Sequence, residues 1–137
     1  MEKTQTTLES TLDSVDKAEE LVTAEAGKVG FDEDEQSQIG MAIRECVVNA
    51  VVHGNRYNKK KNVHLEIERA KDSLTVTIGD EGEGFDISAL PDPLAPENLL
   101  RQSGRGILLI KAFMDEFDAH PRPGGGTEVR MLKKLPK

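Results

Sequence analysis

Apolar residues recur at helical spacing in two neighbouring segments of the first half of the chain. In Asp13–Lys28 they return every three or four residues, which is the spacing of one helix face. The second segment follows Asp32, which can cap a helix, with Glu35 three residues later as in a capping box. Its apolar face extends to Val51, and Gly54 is the expected stop. The pattern predicts two consecutive amphipathic helices.

Alternation of apolar and polar residues marks two strands after these helices. Val63–Glu68 and Leu74–Ile78 alternate, and Lys71–Ser73 between them is short enough to be the turn of a hairpin. Thr4–Leu8 alternates weakly and is rich in threonine, so we expect a short edge strand there. Because the strands are apolar on one side, we expect one face of the sheet to meet helices.

The last third of the chain is less regular. Asp80–Gln102 holds glycines and prolines without a clear period, and a loop of that length is usually functional, often a lid. Ile107–Phe117 is apolar and of helical length, Pro121–Gly126 is an expected turn, and Thr127–Leu132 is an expected strand. This order of elements indicates an α/β (α+β) two-layer sandwich with a largely antiparallel sheet and helices on one face.

The composition of the chain excludes several classes of protein function. The chain has 137 residues and a formal net charge of -7, a length that suits one domain spanning residues 1–137. The acidic balance argues against direct binding to nucleic acid, and no apolar run approaches the roughly 18 to 20 residues of a membrane span. Because Cys46 is the single cysteine and Met1–Ser10 has no signal pattern, we expect a cytoplasmic protein without membrane attachment.

The first cluster that can carry chemistry lies on the second predicted helix. Glu45, Asn49 and His53 follow one another at intervals of four residues, so they lie along one side of it. A solvated polar stripe explains them, and a metal ligand beside a general base is the functional alternative. The basic tract Asn55–Asn62 comes next, and it is either a solvated loop or a docking surface for an acidic partner.

Three glycine-rich clusters are further candidates for binding a ligand. Asp80–Phe85 follows a strand, where glycines let a ligand approach the backbone and the aspartate can accept from an exocyclic amine. Ser103–Ile107 opens a helix, where free N–H groups and an arginine favour phosphate. Gly124–Val129 carries Thr127, whose hydroxyl can complement Asp80 at the same ligand. Taken singly, each cluster is equally well explained as a turn.

Taken together and in this order, the clusters resemble the GHKL superfamily of ATP-binding domains, which share the Bergerat fold. The matching motifs are the N box from Glu45 to Gly54, a first glycine box at Asp80, Gly82 and Gly84, a second at Gly104 and Gly106, and a threonine motif at Gly126 and Thr127. The resemblance spans nearly the whole chain and implies a Bergerat-type mixed, largely antiparallel sheet.

Within that superfamily the chain is most similar to the small serine-protein kinases that act as bacterial anti-sigma factors. The N box, the lid ending in Pro96–Leu100 and the segment Phe113–Glu116 carry this similarity. It implies an ATP-binding serine/threonine protein kinase in a partner-switching circuit. Such a protein binds a sigma factor and phosphorylates a serine on an anti-anti-sigma antagonist. It also implies a homodimer, with Thr4–Lys28 as the contact surface.

The resemblance implies a role for each motif residue. Glu45 would be the general base, and Asn49 would bind Mg²⁺ beside the nucleotide phosphates. Asp80 would accept a hydrogen bond from the adenine amine of ATP, helped by Thr127. The other residues implied at the nucleotide are His53, Gly82, Gly84, Gly104, Arg105 and Gly106.

Other functions stay open at this point. A non-catalytic ATP-binding switch protein would bind nucleotide and transfer nothing, whereas the presence of Glu45 favours catalysis. A detached histidine-kinase-like catalytic domain would phosphorylate histidine, and that product is labile in acid while phosphoserine is stable. We do not expect a complete histidine kinase, because no dimerisation and phosphohistidine helix precedes the ATP motifs. A generic α/β domain without nucleotide would require four coincidental motif matches.

Overall fold

The computed structural model describes residues 2–56, 58–82 and 106–136, without the side chains of residues 106–109. Most of the predicted lid, together with Gly84, Gly104 and Arg105, lies outside these residues. The elements are β1 (Glu2–Glu9), α1 (Asp13–Val29), α2 (Glu33–Asn49), a π-helical turn (Ala50–Gly54), β2 (Asn62–Arg69), β3 (Ser73–Gly79), α3 (Gly106–Phe113), β4 (Glu116–Pro121) and β5 (Thr127–Lys134).

The five strands form one antiparallel sheet in the order β1-β2-β3-β5-β4. The predicted hairpin is present as β2 and β3, with His64 opposite Gly79. β5 pairs with β3, and Gly79 lies opposite Glu128. The end of β3 and the start of β5, two interior strands, therefore meet at one end of the sheet, which brings two of the predicted motifs together.

The core lies between the helices and one face of the sheet. α1 contacts both β2 and β3, and α2 packs against α1 and α3. The inward-facing side chains of the strands alternate with polar ones, as predicted, because successive residues of a strand point to opposite faces. Fully buried members of this core include Ile39, Ile43, Val47, Val63, Leu74, Val76 and Met131. The predicted two-layer sandwich, with helices on one face, is confirmed.

The two ends of α2 are formed differently. At the start, the Asp32 side chain accepts from the Glu35 N–H at 2.8 Å and the Glu35 side chain accepts from the Asp32 N–H at 3.3 Å, which is the predicted capping box. At the end, Gly54 does not stop the α-helix directly. The helix passes into the π-helical turn, which is closed by a hydrogen bond from the Asn55 N–H to the Ala50 carbonyl at 2.8 Å.

The predicted helix Ile107–Phe117 is wrong at its C-terminal end, because α3 ends at Phe113 and β4 begins at Glu116. Phe117 lies four residues after Phe113, so it extends the apparent helical face in the sequence. In the structure, the Asp115 N–H instead donates to the Leu132 carbonyl at 2.9 Å, and Phe117 packs against the core from β4. Pairing with β5 therefore outweighs the helical spacing.

None of the helices in the described ranges is long and apolar enough to cross a membrane.

Candidate nucleotide site

Asp80, the residue after the central strand β3, is held by hydrogen bonds at the end of that strand. Only 1% of its surface is exposed. Its Oδ1 accepts from the backbone N–H of Gly82 at 2.9 Å and of Thr127 at 3.2 Å, and its own N–H donates to the Thr127 carbonyl at 3.0 Å. β3 and β5 thus fix the position of the carboxylate between them.

Burial raises the pKa of the Asp80 carboxyl group above its ordinary value. The two backbone hydrogen bonds and the positive charges of Arg122 and Lys61 oppose this shift without cancelling it. A buried carboxylate that accepts from two N–H groups is a fixed hydrogen-bond acceptor. It can therefore recognise a donor on a ligand, such as an exocyclic amine.

Three glycines surround Asp80 where a side chain would not fit. A Cβ at Gly54 would overlap the Asp80 carboxyl group, one at Gly126 would overlap the Asp80 backbone carbonyl, and one at Gly82 would overlap the Gly54 carbonyl. Glycine at these three positions therefore lets the end of the π-helical turn and the start of β5 pack directly against Asp80. What fits an adenine base is the chemistry of the fixed carboxylate, since a hydrogen-bond acceptor matches its exocyclic amine.

Glu45 and Asn49 lie on the last turns of α2, one turn apart. Asn49 is buried with 8% exposure, whereas Glu45 is half-buried. Burial raises the pKa of the Glu45 carboxyl group, and the positive charge of Arg44 partly opposes the shift. A raised carboxyl pKa brings a general base closer to the pH at which it works. His53 lies in the π-helical turn and is exposed.

The oxygen donors of Glu45 and Asn49 suit Mg²⁺ better than a metal ion that is held by three or more protein side chains. Among the residues that the structure describes, no three His, Cys, Asp or Glu side chains are grouped so as to hold a metal ion. Mg²⁺ usually keeps several waters and takes only one or two protein oxygens, with substrate phosphates as further ligands. The Asn49 amide oxygen, one helical turn from Glu45, is a donor of the kind that this mode of binding would use.

The structure brings most of the described motif residues to one end of the sheet. Gly54 joins the end of α2 to Asp80, and Gly82 and Thr127 bond the Asp80 carboxylate. Gly106 is the first residue of α3, which packs against α2. Gly84, Gly104 and Arg105 are predicted site residues that lie outside the described part of the chain.

Sequence reasoning missed one residue at this site. The sequence places Asn55 in a polar connection, yet it is 2% exposed and its side chain bonds the backbone beside Asp80. The π-helical turn that delivers it was also not predicted. A turn of this kind inside or at the end of an α-helix often occurs at a functional site. The only signal in the sequence was an asparagine directly after the glycine of the N box.

Comparison with known proteins agrees with this geometry. The family described as Histidine kinase-like ATPase domain matches residues 8–133. The catalytic domain of the histidine kinase ThkA superimposes with a TM-score of 0.57 over 98% of this chain and 96% of that domain. Because the two sequences are only 12% identical, this likeness shows the fold alone.

Several curated relatives are named anti-sigma F factor. The protein from Oceanobacillus iheyensis is 36% identical over 108 residues, which cover 76% of this chain and 73% of the relative. The Bacillus subtilis protein is 33% identical over the same shares of both chains. The resemblance to the GHKL superfamily, and within it to anti-sigma factors, is confirmed. The chain belongs to the histidine kinase-like ATPase domain family, and its fold is that of a nucleotide-binding domain.

Proposed function

We propose that this chain is an ATP-dependent protein serine/threonine kinase that acts as an anti-sigma factor in a partner-switching circuit. The observation that carries the proposal is the buried Asp80 carboxylate, fixed between β3 and β5 and walled by glycine backbone. Relatives that carry the name anti-sigma F factor support the choice of partner.

Asp80 accepts a hydrogen bond from the adenine amine of ATP, and Thr127 assists at the same edge. Gly82 and Gly84 let the base lie against the backbone. Gly104, Arg105 and Gly106 hold the phosphates, since a glycine turn opening a helix supplies N–H donors and an arginine supplies positive charge. His53, at the end of the π-helical turn, completes the residues assigned to the nucleotide.

Glu45 is the general base of the transfer. It takes the proton from the partner's serine hydroxyl while the serine oxygen bonds to the γ-phosphorus and the bond from that phosphorus to ADP breaks. Asn49 is the protein ligand of Mg²⁺, which when bound neutralises charge on the phosphates. Phosphoryl transfer needs mainly positioning and charge stabilisation. In this proposal Asp80 positions the nucleotide, and Asn49 holds the metal ion that stabilises the charge.

The partners in this proposal are a sigma factor and an anti-anti-sigma antagonist that carries the phosphorylated serine. We further propose that residues 1–137 form one domain, that the protein is cytoplasmic, and that it forms a homodimer through Thr4–Lys28. Light scattering measures the last point directly. A dimer mass at micromolar concentration is expected, and a monomer mass at high concentration contradicts it.

The test of the function is phosphorylation of a captured partner. Proteins retained by the chain in the presence of ADP, and separately of ATP, are identified and then incubated with the chain, Mg²⁺ and γ-labelled ATP. Acid-stable label on a serine is expected. Acid-labile label on histidine would favour a detached histidine-kinase-like domain. Nucleotide binding without any label on a retained partner would favour a non-catalytic switch protein.

A further inference from the structure

Asn55 follows the π-helical turn, and its side-chain amide joins two separate backbone segments. Its Nδ2 donates to the carbonyl of Asn62 at 2.9 Å, and its Oδ1 accepts from the N–H of Glu81 at 2.8 Å. Its backbone is also held, because its N–H donates to the Ala50 carbonyl at 2.8 Å and its carbonyl accepts from the Asn58 N–H at 3.0 Å. The amide is therefore presented in a fixed position.

The two groups that Asn55 bridges face each other across the hairpin. The ladder between β2 and β3 ends with His64 opposite Gly79. Two residues further in the same register, Asn62 lies opposite Glu81. The pairing of β2 with β3 does not extend to these two residues. The Asn55 amide instead joins the Asn62 carbonyl to the Glu81 N–H, directly after the point where β3 delivers Asp80.

Glu81 is fixed at its side chain as well as at its backbone. Its carboxylate accepts from the Asn62 N–H and contacts Nε2 of His64 at 2.5 Å. Burial alone would raise the pKa of this carboxyl group, but the hydrogen bonds from Asn62 and His64 outweigh burial and hold the pKa below its ordinary value. Glu81 is therefore ionised at neutral pH and anchored to the start of β2.

Gly54 and Asn55 together hold the segment that contains Asp80 in place, one by packing and the other by a hydrogen bond. Gly54 lies against the Asp80 carboxyl group, and its carbonyl lies against Gly82. Asn55 holds the next peptide along, through the Glu81 N–H. We infer that Asn55 is a positioning residue, which sets the direction in which the Asp80 carboxylate faces the adenine amine and so sets the selectivity for adenine. This inference rests on the proposed function, in which Asp80 recognises adenine.

The test compares affinities for ATP and GTP, measured by calorimetry on the full chain with Mg²⁺. Asn55→Ala removes both side-chain bonds, whereas Asn55→Asp keeps the acceptor for the Glu81 N–H and loses the donor to Asn62. Asn58→Ala is the matched control, because Asn58 lies in the same connection, is exposed, and bonds only locally to the Lys60 N–H at 2.9 Å among the described contacts of its side chain.

We expect Asn55→Ala to lower the ratio of ATP to GTP affinity by about tenfold, the size of one lost hydrogen bond to a charged group. Asn55→Asp should keep part of the preference for ATP over GTP, and Asn58→Ala should keep all of it. In an Asp80→Asn background, Asn55→Ala should change the ratio no further, because both substitutions act on one contact. Affinity for inorganic tripolyphosphate should stay unchanged throughout.

An unchanged ratio in Asn55→Ala, in a wild type that does discriminate, overturns the positioning role and leaves the adenine assignment standing. Equal loss of ATP, GTP and tripolyphosphate affinity overturns it too, because that pattern indicates general loss of structure. A wild type that binds ATP and GTP equally overturns the adenine assignment itself, and the role of Asn55 with it.

Discussion

Burial raises the pKa of both Asp80 and Glu45, yet the structure holds the two carboxyl groups in different ways. Asp80 is almost fully buried, bonded by two backbone N–H groups and walled by glycines. Glu45 is half-exposed on a helix turn. In the proposed function, the first arrangement recognises the amine donor of the adenine base. The second leaves a carboxylate accessible to another molecule, which a base acting on a protein substrate requires.

We therefore expect substitutions at the two residues to have different effects: on phosphate transfer at Glu45 and on ATP affinity at Asp80. The largest effect is expected on the helix side. Glu45→Gln keeps the size and hydrogen bonding of the side chain but removes the proton acceptor, so phosphoserine formation should fall by roughly 10² to 10⁴-fold. ATP affinity, measured by calorimetry, should stay near the wild-type value. A variant that transfers phosphate at the wild-type rate would show that positioning alone carries the reaction.

Asn49→Ala should disturb both binding and transfer, because in the proposed site Mg²⁺ would lose its protein ligand. We expect Mg²⁺-dependent ATP affinity to fall by at least about 10- to 100-fold, the loss typical when a residue that only supports a metal ligand is removed. The readout is ATP affinity with and without Mg²⁺. Met41→Ala, an exposed position on the same helix, is the control for effects of the substitution on α2. Equal losses in the presence and absence of Mg²⁺ would argue against a metal ligand.

On the sheet side, Asp80→Asn should weaken ATP binding by mispairing with the adenine amine. The expected cost is about 1 to 3 kcal/mol, the range for a hydrogen bond to a charged group. The amide oxygen can still accept from Gly82 and Thr127, so the fold is expected to survive. GTP affinity should change little. If calorimetry shows equal ATP and GTP affinity in both proteins, Asp80 does not recognise adenine.

The sequence was sufficient to predict most elements to within one or two residues of their ends, because these ends depend on local signals. The capping box of Asp32 and Glu35 and the alternation in the hairpin are examples. The role of Asp80 stays a prediction, since it follows from the order of four motifs along the chain and not from its own local pattern. β4 was not predictable in the same way, since Phe117 also fits the spacing of the preceding helix. Asn55 was missed because its role depends on the register between β2 and β3, a long-range property that local patterns do not contain.

The smallest predicted effect concerns stability without nucleotide. Because folding raises the pKa of Asp80, its carboxyl group favours folding at low pH, and that contribution is lost as pH rises through the folded-state pKa. Asp80→Asn removes the cost of burying the charge, so its melting temperature should exceed that of wild type at pH 7. The gap should narrow as pH falls toward about 4, the ordinary aspartate range. A gap that is independent of pH would contradict a raised pKa.

The proposed mechanism is tested most directly by the rate of phosphoserine formation on the captured partner, measured against ATP concentration for wild type, Asp80→Asn and Glu45→Gln. We expect Asp80→Asn to approach the wild-type maximal rate at saturating ATP and to need more ATP to reach half of it. We expect Glu45→Gln to reach its half-maximal rate at the wild-type ATP concentration, with a maximal rate reduced by roughly 10² to 10⁴-fold. Equal reductions of the maximal rate in both variants would contradict the division of binding and chemistry between the two regions.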